Sequence, residues 1–190
     1  MKSLFRPALV LFAALTLVCC LFYPYAVTGI ARLAFPQEAA GSLIAHQGKL
    51  VGSSLIGQAF SSPRYFWGRP SATSPMPNNG ASSSGSNLGP SNQALIEVVS
   101  ARVNALQHAD PDNKAAIPVD LVTASASGLD PEISLAAAYY QVARIARARD
   151  LSESQVKAVI DRLQQLPLFG LFGEPRVNVL ALNLVLDAQH

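Results

Sequence analysis

A run of about 23 residues without a charged side chain, from Ala8 to Ile30, limits what this chain can fold into more than any other feature. As a helix rising about 1.5 Å per residue, it reaches about 35 Å and crosses a bilayer core of about 30 Å. We therefore predict a transmembrane helix at residues 8–30. The alternatives are a cleaved signal peptide and a lipoprotein signal using Cys20, although signal peptides usually have apolar regions of only about 7–15 residues.

The charges around this run predict its orientation. Lys2 and Arg6 precede it, whereas only Arg32 follows closely. Because positively charged flanks stay in the cytoplasm, we expect residues 1–7 to be cytoplasmic. Residues 31–190 are then expected to form a single extracytoplasmic (periplasmic) domain. The predicted location is the plasma (cell inner) membrane, which the chain crosses once and whose lipid it contacts.

Composition and spacing argue against several classes of function. Lys and Arg total 14 against 12 Asp and Glu, and this net charge of +2 is too small for a nucleic-acid-binding surface. Cys19 and Cys20 lie in the apolar run, and the histidines, at His46, His108 and His190, have no neighbour at metal-ligand spacing. The serines lack the G-x-S-x-G spacing of a hydrolase nucleophile. We expect no catalytic residue, no metal site and no nucleic-acid partner.

Residues 61–92 form a loop rich in Ser, Pro, Gly and Asn, without a single Asp or Glu. This composition is typical of a flexible linker. The region also carries an aromatic cluster beside two arginines, and such bulky side chains favour an ordered loop that docks onto a partner. The candidate docking residues are Arg64, Tyr65, Phe66, Trp67 and Arg69.

The remaining patterns predict an α+β fold in which helices dominate. Short β-prone runs at residues 50–57 and 65–67 indicate small strands or a hairpin. Apolar residues spaced three to four apart predict a helix that begins with Ser91 or Asn92 as its cap and ends at Asp110. Alternation at residues 117–123 predicts an edge strand.

Two further helices are predicted from their caps. Asp130-Pro131 has the form of a cap followed by a first-turn proline and predicts a helix from that point. Ser152–Gln155 has the form of a capping box. The apolar stretch at residues 177–187 suits a buried helix or a buried strand, and we favour a helix capped by Asn178.

Short motifs in a fixed order run through nearly the whole chain. In order, they are Tyr23-Pro24, Thr28–Ala31, Phe35-Pro36, Gly41–Ile44, Val51–Ser53, Leu55–Gln58, Tyr65–Trp67, Arg69–Ala72, Gly85–Pro90, Pro118–Thr123, Ser127–Pro131 and Gly173–Leu180. Together they resemble the KdpC family, which is the C subunit of the bacterial Kdp potassium-transporting P-type ATPase.

The resemblance implies a membrane complex with three other subunits. In that family an A subunit conducts potassium, a B subunit is phosphorylated and hydrolyses ATP, and a small F subunit accompanies them. The C subunit is an accessory that is needed for assembly and raises the ATP-binding affinity of the catalytic subunit, as a catalytic chaperone. The resemblance thus implies that potassium is transported by the complex and that this chain is not itself the enzyme.

The same resemblance implies that Ser125, Ser127, Gly128 and Gln141 are candidate nucleotide-binding residues for ATP. The predicted orientation opposes this, because it places these residues outside the cytoplasm whereas ATP is inside. In the alternative hypothesis, the extracytoplasmic domain docks on the potassium-conducting subunit or gates ion entry without contacting nucleotide. The aromatic cluster at residues 64–69 is then the functional surface.

Overall fold

The uncharged run folds as part of one long helix. In a computed structural model, which describes residues 2–188, the helix comprises α1 (Lys2–Thr16), a π-helical turn (Leu17–Phe22) and α2 (Tyr23–Ala34). The stretch Leu4–Ala34 of this helix is long and apolar enough to cross a membrane. No residue in its most apolar 18-residue segment is buried inside the chain. This helix contains the whole predicted span. Met1, Gln189 and His190, which the predictions for the termini include, lie outside the described residues.

The π-helical turn has a covalent cause. Pro24 has no backbone N–H, and its ring crowds the carbonyl four residues earlier in the chain. The turn immediately before it, Leu17–Phe22, therefore widens from α to π spacing. The helix continues through the proline and ends at Ala34.

Contacts divide the chain into two units, Met1–Val51 and Gly52–His190. After the long helix, the first unit contains α3 (Pro36–Ala39) and a hairpin of β1 (Leu43–His46) and β2 (Lys49–Ser53), whose last residues continue into the second unit. Gln47 and Gly48 join the strands, and both have positive φ, as a tight type I′ hairpin turn requires. The β-prone run at 50–57 thus contributes to a strand, whereas residues 65–67 are in none.

The second unit mixes helices with a two-stranded sheet, as the α+β prediction requires. Its elements are α4 (Gln93–Ala109), a 3₁₀ turn (Val119–Leu121), β3 (Glu132–Ser134), α5 (Leu135–Tyr140), α6 (Val142–Arg149), α7 (Glu153–Leu163), β4 (Arg176–Asn178) and α8 (Val179–Asp187). The strands β3 and β4 are antiparallel, with Ile133 opposite Val177. Helices dominate, and their apolar faces and this sheet enclose one buried core.

Three helix starts are confirmed with their predicted caps. The Asn92 side chain accepts a hydrogen bond from Ala94 N at 2.9 Å, and Asn178 accepts one from Ala181 N at 3.0 Å. Ser152 and Gln155 form the complete capping box at the start of α7. Because Asn178 caps α8, the apolar stretch is a helix over most of its length, preceded by the short strand β4.

Two predicted elements are wrong. Residues 117–123 form no strand, because the chain turns in 3₁₀ geometry so that Leu121 is fully buried and Asp120 can accept a hydrogen bond from Ser134 N at 2.7 Å. The helix predicted at Asp130-Pro131 does not begin there. The next residues join the sheet as β3, and the helix α5 begins four residues later with Ser134 as its cap.

Candidate functional site

An irregular segment at residues 63–68, which we call the clamped segment, crosses the core of the second unit. Its two central side chains are buried: Phe66 is fully enclosed and Trp67 is 7% exposed. A buried segment that belongs to no sheet has backbone N–H and C=O groups that need partners, because an unpaired buried polar group is costly. Side chains from the helices supply those partners.

Two amide side chains bind this backbone in the way a neighbouring strand would. Asn183 in α8 accepts a hydrogen bond from Phe66 N at 2.8 Å and donates one to Phe66 O at 3.1 Å. Gln141, between α5 and α6, does the same for Trp67, at 2.8 and 3.1 Å. Both amides are almost completely buried. Each one satisfies both the donor and the acceptor of one residue.

Three arginines complete the clamp by donating to backbone carbonyls. Arg144 donates to Pro63 O and to Tyr65 O, both at 3.1 Å. Arg149 donates to Arg64 O at 2.7 Å, and Arg102 donates to Gly68 O at 2.9 Å. Every residue from Pro63 to Gly68 therefore has at least one backbone group bound by a side chain from a helix or from Gln141 at the junction of α5 and α6.

The same arginines lie over the aromatic rings of the segment. The guanidinium of Arg144 is 4.6 Å from the centroid of the Trp67 ring, and that of Arg102 is 5.2 Å from it. Arg149 lies 5.0 Å from the centroid of Tyr65 and pairs with Asp187 at 2.7 Å. Cation–π contacts of this kind gain strength where water is excluded.

Arg144 is a buried cation, and within residues 4–188 it has no ion-pair partner in direct contact. Burial lowers its pKa to about 10, while the more distant carboxylate of Asp110 acts in the opposite direction. The guanidinium therefore stays protonated at neutral pH. Its charge is offset by hydrogen bonds to three oxygen atoms and by the face of Trp67.

The candidate docking residues divide into two groups. Phe66 and Trp67 are core side chains, so neither ring offers surface to a partner in this conformation. Arg64 is exposed, Tyr65 is half-buried and donates its hydroxyl to Asp187, and Arg69 pairs with Asp130 at 3.1 Å. Phe66 and Trp67 anchor the segment in the core, and only the remaining three residues border the surface.

The candidate nucleotide-binding residues form hydrogen bonds within the chain. Ser125 is buried and accepts a hydrogen bond from Gly128 N at 2.9 Å, and the exposed Ser127 accepts one from Leu129 N at 3.1 Å. These three positions share one tight turn, whereas Gln141 is bound in the clamp. A phosphate needs free donors, and the Gly128 N–H is already used. In this arrangement the Gly128 N–H and the Gln141 amide have partners within the chain.

That turn also orders the Ser/Pro/Gly/Asn-rich loop. The Ser71 hydroxyl donates to Gly128 O at 2.6 Å, and Ser84 N donates to Ser127 O at 3.0 Å. Within the loop, Thr73 donates to Met76 O at 2.7 Å and accepts from Asn79 N at 3.0 Å. The loop is ordered by its own polar side chains and does not behave as a linker.

Sequence reasoning missed the side chains that build the clamp. These are Arg102, Arg144, Arg149 and Asn183, while Gln141 was expected at a different kind of site. A weak signal existed, since Asn183 and Arg149 lie on the apolar stripes of their helices, where an unpaired polar group would be unfavourable. Among the described residues, no group of three His, Cys, Asp or Glu side chains could hold a metal ion.

Known proteins match this sequence along nearly the whole chain. The sequence model of the family described as KdpC, K+-transporting ATPase, c chain, matches residues 5–188. A potassium-transporting ATPase KdpC subunit of Herminiimonas arsenicoxydans is 68% identical over all of both chains. One from Janthinobacterium sp. (strain Marseille) is 66% identical over 98% of this chain and 99% of its own. The chain therefore belongs to the KdpC family, the C subunits of potassium-transporting ATPases.

Proposed function

We propose that this chain is a non-catalytic accessory subunit that acts through assembly of the potassium-transporting complex. The helix Leu4–Ala34 anchors it in the plasma (cell inner) membrane, with the N-terminus in the cytoplasm and the second unit outside. That unit docks on the potassium-conducting A subunit of a complex that also holds the ATP-hydrolysing B subunit and the small F subunit. Family membership, the apolar helix Leu4–Ala34 and the flanking charges support this assignment.

One observation favours docking over direct nucleotide contact. The donors and acceptors of Ser125, Gly128 and Gln141 are paired within the chain, and two of these side chains are buried. ATP would have to break a turn and the clamp at Trp67 to reach them. Any gain in ATP affinity of the catalytic subunit is therefore transmitted through assembly, without the chain touching nucleotide.

The docking surface proposed here lies where the clamped segment reaches solvent. Arg64 is exposed, while its carbonyl is fixed by Arg149, so its side chain leaves from a backbone that is held in place. No acidic residue occurs between Glu38 and Glu97. In the folded chain Arg69 pairs with Asp130 and Tyr65 donates to Asp187, whereas Arg64 forms no ion pair within residues 4–188. The positive charge of Arg64 therefore suits a partner surface that is acidic or carries carbonyl acceptors.

The test is the recovery of the other subunits with variants of this chain from membranes that express the whole complex. We expect Arg64→Glu to lower recovery about tenfold, since reversing a charge at an interface costs on the order of 1–2 kcal/mol. The complexes that still form should need the same ATP concentration for half-maximal hydrolysis as the wild type.

Two matched variants make this result specific. Arg162→Glu applies the same charge reversal to an exposed arginine at the end of α7 and should leave recovery unchanged. Ser127→Ala alters the exposed hydroxyl of the candidate nucleotide turn and should change neither recovery nor the ATP requirement. A raised ATP requirement in Ser127→Ala with normal recovery would reject the proposal in favour of direct nucleotide contact.

A further inference from the structure

The connection between α7 and β4 exposes apolar side chains. Residues 166–172, which we call the apolar tip, include five large apolar side chains with exposed fractions between 64% and 84%. They are Leu166, Leu168, Phe169, Leu171 and Phe172. Water-exposed groups of this kind mark contacts with membranes or with other proteins.

The tip has a defined backbone. Leu168 and Phe172 form an isolated antiparallel bridge with two hydrogen bonds of 3.0 Å, and Gly170 N donates to Pro167 O at 2.9 Å. Phe169 lies at the apex with φ of +54°, a left-handed conformation that bulky residues rarely adopt. Its ring is nevertheless directed away from the core, so the turn presents its apolar side chains outward.

The tip contains no charge and no polar side chain. The nearest charged residues along the chain are Arg162 on one side and Glu174 on the other, which leaves a polar border around an apolar centre. A surface made only of Leu, Phe, Pro and Gly side chains offers no directional hydrogen bond. This chemistry suits the boundary between lipid headgroups and acyl chains.

The chain also keeps the second unit near a bilayer. The apolar helix ends at Ala34, and the second unit begins at Gly52, so only a short connection separates them. Even fully extended, that connection spans no more than about 60 Å, and a domain of this size has a radius of gyration of about 14 Å. The tip therefore has a high local concentration at the membrane.

We propose that the apolar tip inserts into the headgroup–acyl boundary of the membrane in which the chain is anchored. This is a second attachment to the bilayer, and it fixes one end of the second unit against the lipid surface. It rests on the proposed membrane anchorage but requires no contact with another subunit.

The test uses the full chain in bilayer nanodiscs that contain lipids brominated near the headgroup end of the acyl chains. Leu171→Trp places a reporter in the tip, and Val98→Trp places one at an exposed site in α4. The wild type gives the background from the single native tryptophan, the buried Trp67. We expect the brominated lipid to remove about half of the added emission at 171, since apolar groups enter this region by about 5–10 Å. The added emission of Val98→Trp should be quenched very little.

A charged tip supplies the second variant. Phe169→Asp together with Phe172→Asp, in the Leu171→Trp chain, should abolish the added quenching, and because both rings are exposed the domain should stay folded. Equal quenching at 171 and 98 would overturn the proposal. So would a tip that is shielded only when the other subunits are present, because that result identifies a protein partner. Resistance to alkaline extraction checks the anchor separately.

Discussion

Two irregular segments of the second unit differ in opposite ways from what their compositions suggest. The loop at residues 61–92 has the Ser, Pro, Gly and Asn content of a flexible linker, yet hydrogen bonds to the turn at Ser127 and Gly128 hold it in one conformation. The apolar tip has the Leu and Phe content of a core, yet its side chains are exposed to solvent. Composition alone assigns each of them to the wrong environment.

The difference shows what orders a segment without regular structure. In the clamped segment, amide side chains bind both backbone groups of the buried Phe66 and Trp67, and the aromatic rings then become buried at little polar cost. The tip satisfies its few backbone groups within its own turn, so nothing draws it into the core. Order in both segments follows from backbone pairing, and only the first gains apolar burial from it.

The largest effect is expected from removing the amide side chain that binds the backbone of Trp67 in the clamped segment. We expect Gln141→Ala to lower the free energy of unfolding by about 3 kcal/mol, because it leaves the buried N–H and C=O of Trp67 unpaired. The measurement is urea unfolding of the detergent-solubilised full chain, followed by the emission of Trp67. Gln107→Ala, at an exposed glutamine in α4, is the matched control and should stay within about 0.5 kcal/mol. Equal effects of the two would mean that the clamp contributes nothing.

A smaller effect is expected where the loop meets the turn. Gly128 has φ of +67°, and an added Cβ would lie 2.6 Å from both Ser84 O and the Thr73 methyl group. Gly128→Ala should therefore cost about 2 kcal/mol and speed hydrogen exchange in the loop. Gly89→Ala, where an added Cβ meets no atom within 4 Å, should be neutral or slightly stabilising. Unchanged exchange in Gly128→Ala would show that the loop is ordered by other contacts.

The smallest effect should come from the tip. Leu171→Ala should change the free energy of unfolding by less than about 0.5 kcal/mol, since the side chain touches little of the protein. Leu182→Ala makes the same substitution at a fully buried leucine of α8 and should cost about 2–5 kcal/mol. Both are measured by the same urea titration. A large loss in Leu171→Ala would mean that the tip belongs to the core after all.

Interactions between residues close in sequence were predictable, and interactions between residues far apart in sequence were not. The caps Asn92, Ser152 and Asn178 bind backbone within three residues, so local sequence identifies Ser152 and Asn178 and narrows the first cap to Ser91 or Asn92. The helix expected at Asp130-Pro131 failed because pairing with β4, more than 40 residues later, overrides the local preference. Family membership was also predictable, since its motifs are read directly from residue order.

The clamp could not have been found in this way. Trp67 and Gln141 are 74 positions apart, and Phe66 and Asn183 are 117 positions apart. No periodicity or capping rule links residues at such separations. The nucleotide candidates illustrate the same limit, because the sequence shows that Gln141 is polar but not that its amide is already bound to Trp67.

The clamp between Phe66 and Asn183 also has a consequence for how the chain is made. Asn183 lies in α8, 117 positions after Phe66, so during synthesis the clamped segment stays incomplete until α8 has emerged. Until then, Phe66 and Trp67, together with the arginines that the folded chain buries, are open to water and to other chains. Closure depends on contacts of long sequence separation, which form slowly. A nascent chain truncated before α8 should therefore be open to proteolysis and aggregation, however complete its other helices are.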